Sequence, residues 1–94
     1  MHATRPLFPL GRIVATPGAL EALQNAGQDA RELLVRHAAG DWGTLSDDDR
    51  NENDFAVTRA LRLLSAYHLT NGEKMWIITE ADRSATTLLL PSEY

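Results

Sequence analysis

The stretch Thr79-Glu80-Ala81-Asp82-Arg83-Ser84-Ala85-Thr86-Thr87 holds the densest chemistry in the chain. It sets carboxylates, an arginine and several hydroxyls around one turn. An arginine fork can hold a phosphate through two parallel hydrogen bonds, and a carboxylate such as Glu80 can give or take a proton. The plain alternative is ordinary turn chemistry, with Asp82 and Ser84 bonding their own backbone and Arg83 making a weak surface pair. His37 is a second candidate. Its imidazole ordinarily titrates near neutrality and can act as a general base, or it can sit at a helix end against the last carbonyls. Asp41 and Trp42 lie between Gly40 and Gly43. They form either a pocket wall or a buried tryptophan anchor with a capping aspartate beside it.

Other chemistries lack their residues. Asp47-x-Asp49-x-Asn51 begins like a calcium loop, but Glu52 stands where that loop needs glycine and Thr58 where it needs a bidentate glutamate. The chain has no cysteine, and His2, His37 and His68 have no zinc-ligand spacing. There is no Gly-x-Ser-x-Gly, no Walker loop and no Gly-x-Gly-x-x-Gly. Neither a metal nor a cofactor is therefore expected.

The elements that must position the candidates are best marked in the last third. Arg62–Leu69, Lys74–Glu80 and Ala85–Pro91 read as three strands of an antiparallel meander. Asn71-Gly72 predicts a two-residue type I′ turn, which would set Tyr67 opposite Trp76 and Ser65 opposite Ile78. The link Ala81–Ser84 would set Thr79 opposite Thr86 and Ile77 opposite Leu88. Strand alternation then gives a core face of Leu64, Ala66, Met75, Ile77, Leu88 and Leu90. The opposite face holds Ser65, Tyr67, Trp76, Ile78, Glu80, Thr87 and Leu89, a half-covered surface suited to binding.

Upstream, Met1–Leu10 carries two prolines and little periodicity and reads as an N-terminal arm. Residues 11–94 form one domain. Gly11–Thr16 is a short strand. Thr16-Pro17 opens a helix over Pro17–Ala26, with Leu20 and Leu23 buried and Gly27 ending it. Asp29 caps a second helix over Ala30–Ala39. Ser46 opens a third, ending near Ala60, with Phe55, Thr58 and Leu61 facing inward. The fold class is α+β: an N-terminal short strand and about three helices packed on a small, mostly antiparallel sheet with a C-terminal three-stranded meander.

Composition sets the setting. Ninety-four residues, 44% hydrophobic and 23% charged, suit a single globular domain. The formal charge of −4 counts against a broad phosphate-binding surface. No apolar run approaches the roughly 20 residues that span a bilayer, and the first residues lack the apolar core of a signal peptide. A cytoplasmic protein without membrane contact is expected.

Four runs resemble a family of small uncharacterised bacterial proteins, often carried on plasmids and other mobile elements. They are Phe8–Ala19, Arg36–Gly43, Arg62–Tyr67 and Trp76–Pro91. The resemblance implies an accessory factor of a mobile element. Members sometimes bear a restriction–modification label. A methyltransferase subunit, however, needs a cofactor-binding sheet and a base-flipping pocket, which this chain has no glycine-rich loop to supply.

Two functions follow as expectations. One is a protein-interaction module that binds another protein through the Tyr67–Trp76 face, with Asp41, Trp42, Asp82 and Thr87 contributing. The other is a small nuclease-like enzyme of the RNA-cleaving toxin type, with His37 and Glu80 as acid and base and Arg83 on the phosphate. Convergence of His37, Asp41 and the Glu80–Arg83 turn into one cleft would favour the enzyme.

Overall fold

The computed structural model describes residues 5–94. The outer part of the expected arm, including His2, lies outside them. The elements run in the order β1 (Arg12–Ala15), α1 (Pro17–Ala26), α2 (Ala30–Ala38), α3 (Asp47–Arg59), β2 (Leu63–His68), β3 (Lys74–Thr79) and β4 (Ala85–Leu89), with a 3-10 turn at Pro91–Glu93. Local chemistry sets the helix ends. Thr16 accepts from the Ala19 amide at 3.1 Å, Asp29 from Arg31 at 2.9 Å and Ser46 from Asp49 at 3.2 Å. Gly27 closes α1 at φ +63°.

The strands form one mixed sheet in the order β1-β4-β3-β2. β2–β3–β4 is the expected antiparallel meander, and β1 joins it parallel to β4. The fold is α+β. The β3–β4 register places Thr79 opposite Thr86 and Ile77 opposite Leu88, as the four-residue link predicts.

The first hairpin departs from its expected register. Tyr67 faces Met75, Ser65 faces Ile77 and Leu63 faces Thr79. Gly72 takes φ +88°, whereas Asn71 does not enter the left-handed region, so a type I′ turn is not formed. Instead the Gly72 amide donates to the Leu69 carbonyl at 2.8 Å, and the Leu69 amide donates to Glu73 at 2.8 Å. The loop is thus Thr70–Gly72, a type I turn closed by a left-handed glycine. Thr70 is also held from outside, since its hydroxyl donates to the Ala26 carbonyl at 2.8 Å. One extra loop residue slips the pairing by one and turns β2 over. Leu63, Ser65 and Tyr67 therefore face the core, and Leu64 and Ala66 face outward with Trp76 and Ile78.

The core lies between the sheet and α1–α2. Tyr67, Met75, Ile77 and Leu88 meet Ala19, Ala22, Leu23, Leu33 and Leu34 there. Small residues of α1 face the sheet, while Leu20, expected inside, is 57% exposed. A second cluster joins Phe8, Trp42, Ala56 and Leu63. Phe8 is buried, so this part of the expected arm belongs to the domain core. Its neighbour Leu7 donates its amide to the Ala38 carbonyl at 2.7 Å. On α3 the inward residues are Asn53 and Ala56, whereas Phe55, Thr58 and Leu61 are exposed.

β2 is an edge strand, yet its edge is occupied. The Asn53 side chain donates to the Leu64 carbonyl at 2.6 Å and accepts from the Leu64 amide at 3.3 Å. Further along, the Thr44 amide donates to the Ala66 carbonyl at 2.7 Å, and the Ala66 amide donates to Trp42 at 3.2 Å. One amide side chain and one short loop thus replace a fifth strand.

Candidate functional site

His37 sits in α2 and is fully buried. Its Nδ1 lies 2.5 Å from Ser65 Oγ and its Nε2 lies 2.8 Å from Thr79 Oγ1. Thr79 Oγ1 is 2.7 Å from Thr86 Oγ1, and Thr86 donates to the Leu10 carbonyl at 2.7 Å. Hydrogen accounting fixes the tautomer. The Leu10 carbonyl can only accept, so it takes the Thr86 hydrogen. Thr86 then accepts from Thr79, and Thr79 accepts from His37 Nε2–H. Nδ1 is left as the acceptor of the Ser65 hydroxyl. Each hydroxyl in this chain has a partner, and among the described residues no buried side-chain polar atom is unpaired.

Phe8 and Trp42 close over the imidazole edge-on, at 5.3 and 5.7 Å between ring centroids. Burial, with the Arg83 charge as a lesser cause, lowers the His37 pKa to about 4. A serine–histidine pair is present, but no substrate can reach it. The imidazole works as a neutral connector between α2, the sheet and the segment before β1.

Arg83 is structural as well. It occupies the left-handed region at φ +61°. Its guanidinium donates to the Ala56 carbonyl at 2.9 Å, the Leu61 carbonyl at 2.6 Å and the Glu80 carbonyl at 3.1 Å. Arg83 therefore sits at the C-terminal end of α3, where the helix dipole favours a cation, and its guanidinium carbon lies 5.5 Å from the Phe8 ring centroid. Charge-assisted bonds that tie the Ala56, Leu61 and Glu80 carbonyls together make Arg83→Ala destabilising by about 2 kcal/mol. Urea titration against wild type measures that loss, and an unchanged midpoint would show that solvent replaces these bonds without cost.

The other sequence candidates scatter. Tyr67 is buried, and its hydroxyl donates to the Asp41 carbonyl at 2.5 Å. Burial pushes that phenol up to about 12. The Asp41 carboxylate accepts from Arg36 Nε at 2.7 Å, which holds it below the usual carboxylate range. Arg36 in turn stacks 4.6 Å above the Tyr67 ring. Trp42 is buried and donates its indole N–H to Asp54 at 2.9 Å. Asp82 is exposed, accepts from the Ser84 amide at 3.0 Å, and is lowered by Ser84. Thr87 is half-buried on the outer sheet face opposite Ile78. Glu80 is half-exposed and pairs with Arg62 at 3.7 Å.

Tyr67 and Trp76 do not share a face, because the register slip sends Tyr67 into the core and leaves Trp76 outside. Trp76 instead helps line a groove of about 910 Å³ between α3 and the outer face of β2–β3. Its floor is Leu64, Trp76 and Ile78. One wall is α3, with Phe55 54% exposed and Asp49 and Glu52 beside it. Tyr94 leans on the other side, its ring 5.6 Å from Trp76 and its hydroxyl 3.1 Å from Arg62. Sequence reasoning found Trp76 and missed the α3 wall. The available signal was Phe55 itself: three and four residues to either side stand Asn51, Glu52, Thr58 and Arg59, so no apolar stripe contains it.

Among the described residues, no cluster of histidine, aspartate and glutamate could hold a metal ion. Among the same residues, no helix is long and apolar enough to cross a membrane. The chain matches no protein-family model, and neither a curated protein nor a solved structure shows significant similarity to it.

Proposed function

We propose that the chain is a protein-interaction module whose α3–sheet groove receives a segment of another protein. The resemblance of its sequence to small mobile-element proteins suggests that it serves such an element as an accessory factor. The observation that carries the proposal is the groove itself. It is a concavity of about 910 Å³, it is lined mainly by apolar side chains, and Phe55, Leu61 and Tyr94 stand exposed along it. Clustered exposed aromatics beside a concave apolar floor are what binding hot spots are made of. A nuclease function finds no such support. His37 is sealed beneath Phe8 and Trp42, Arg83 is bonded to the Ala56, Leu61 and Glu80 carbonyls, and Asp41 is held by Arg36.

The test is co-purification from the native host with tagged protein, comparing wild type, Phe55→Asp and Leu20→Asp. Phe55 lies in the groove, whereas Leu20 is equally exposed on α1 and lies outside it. The expected result is a stoichiometric partner retained by wild type and Leu20→Asp and lost by Phe55→Asp, with all three melting alike. A partner retained by Phe55→Asp would overturn the proposal.

A further inference from the structure

We infer that the occupant of this groove is a basic amphipathic helix of the partner protein. The inference rests on the groove being the interaction site. Two observations specify the occupant's backbone and charge.

The backbone follows from the β2 edge. An extended peptide earns most of its affinity by adding to a sheet edge through main-chain hydrogen bonds. Beside the groove that edge is taken, with Asn53 bonded to both backbone groups of Leu64 and the Trp42–Thr44 segment bonded to Ala66. The groove floor is a sheet face, on which side chains stand out while the backbone groups of β2 and β3 point along the sheet. A segment lying there must satisfy its own amides and carbonyls, and a helix does so internally.

The charge follows from α3. Asp49 and Glu52 are three residues apart on the same helix and both line the groove. Neither makes an ion pair among the described residues. The groove's cation, Arg62, is already paired with Glu80. An apolar floor beside two carboxylates without an ion-pair partner complements a helix with an apolar stripe flanked by lysine or arginine.

The probe is a display library of random peptides of roughly 16 residues, about four helical turns, selected on the full chain. The expected winners carry Leu, Phe or Trp at i, i+3 or i+4, and i+7, with Lys or Arg on the adjoining flank. They gain helical circular dichroism on binding. Glu52→Lys, beyond the first turn of α3, should weaken them by at least about tenfold at low salt, and Asp49→Lys with Glu52→Lys by more. Winners that are proline-rich or acidic, no enrichment at all, or a Glu52→Lys protein that binds as tightly as wild type would each overturn the inference. The native-partner experiment separates the two levels. If Phe55→Asp loses the partner while the library yields extended or acidic peptides, the groove stands and the basic helix falls. If Phe55→Asp keeps the partner, both fall.

Discussion

Gly43→Ala should cost the protein more than about 4 kcal/mol, an effect in the exceptional class for one methyl group. Gly43 sits at φ +77°, and a Cβ built there falls on the Ala66 carbonyl oxygen, with Tyr67 Cδ1 2.7 Å away. The left-handed conformation alone costs an alanine about 1–2 kcal/mol. The larger part is the collision, because its partner is backbone and cannot rotate aside. Relief requires the 42–44 loop to leave the edge of β2. That breaks the Thr44–Ala66 and Ala66–Trp42 hydrogen bonds and unseats Trp42, which packs on Phe8 and His37. Each polar group left buried without a partner costs about 1–3 kcal/mol. A domain of 94 residues holds only about 5–14 kcal/mol in all. Urea titration should show a midpoint lowered by at least about 1 M, and no cooperative transition if wild type lies at the low end of that range. Gly72→Ala is the control. It has a similar positive φ, +88°, but open space at the Cβ, so only the conformational cost of about 1–2 kcal/mol applies. Equal losses for the two variants would show that the Gly43 contact is not what matters.

The contrast between these glycines also shows what was legible in the sequence. Residues whose effect is local were readable. The Thr16-Pro17 start, the Asp29 and Ser46 caps, the Gly27 stop and the position of the Gly72 turn all follow from side chains acting on their own backbone. The face assignment of β2 was not readable, because it depends on whether Asn71 adopts a left-handed conformation. The competing three-residue loop is chosen with help from Ala26 and Gln28, more than forty residues away in sequence. That one residue of slip decided the candidate site, moving Tyr67 inside and separating it from Trp76. Arg83 was misjudged for a related reason. Its turn was correctly placed, but the Ala56 and Leu61 carbonyls that claim its guanidinium lie more than twenty residues away in sequence. His37 was singled out as chemically able, and the imidazole is indeed at the centre of a polar network. Four side chains from four elements, together with a carbonyl before β1, were needed to show that the network is closed.

That closed network should make stability fall between about pH 6.5 and pH 4. In the unfolded chain the imidazole titrates near 6.5, and in the folded protein burial beside Arg83 holds it down to about 4. Above pH 6.5 it is neutral in both states and the folded form keeps its full stability. As pH falls through the window the unfolded chain binds a proton that the folded protein refuses, so the equilibrium shifts toward unfolding by about 1.4 kcal/mol per pH unit. The whole window removes about 3 kcal/mol, a large share of a small domain's margin. Below pH 4 this group has no further effect, and acid loss passes to carboxylates held low by their partners, such as Asp41 by Arg36 and Glu93 by Thr16. Urea midpoints measured across the window, for wild type and for His37→Gln, isolate the effect. Glutamine keeps a donor and an acceptor but does not titrate, so the variant starts less stable yet should lose little as the pH drops. The imidazole proton resonances supply the direct check. The His37 resonances should stay unchanged until well below pH 6. A His37 resonance titrating near 6.5 in the folded protein would mean that the network admits a proton, and the predicted slope would vanish with it.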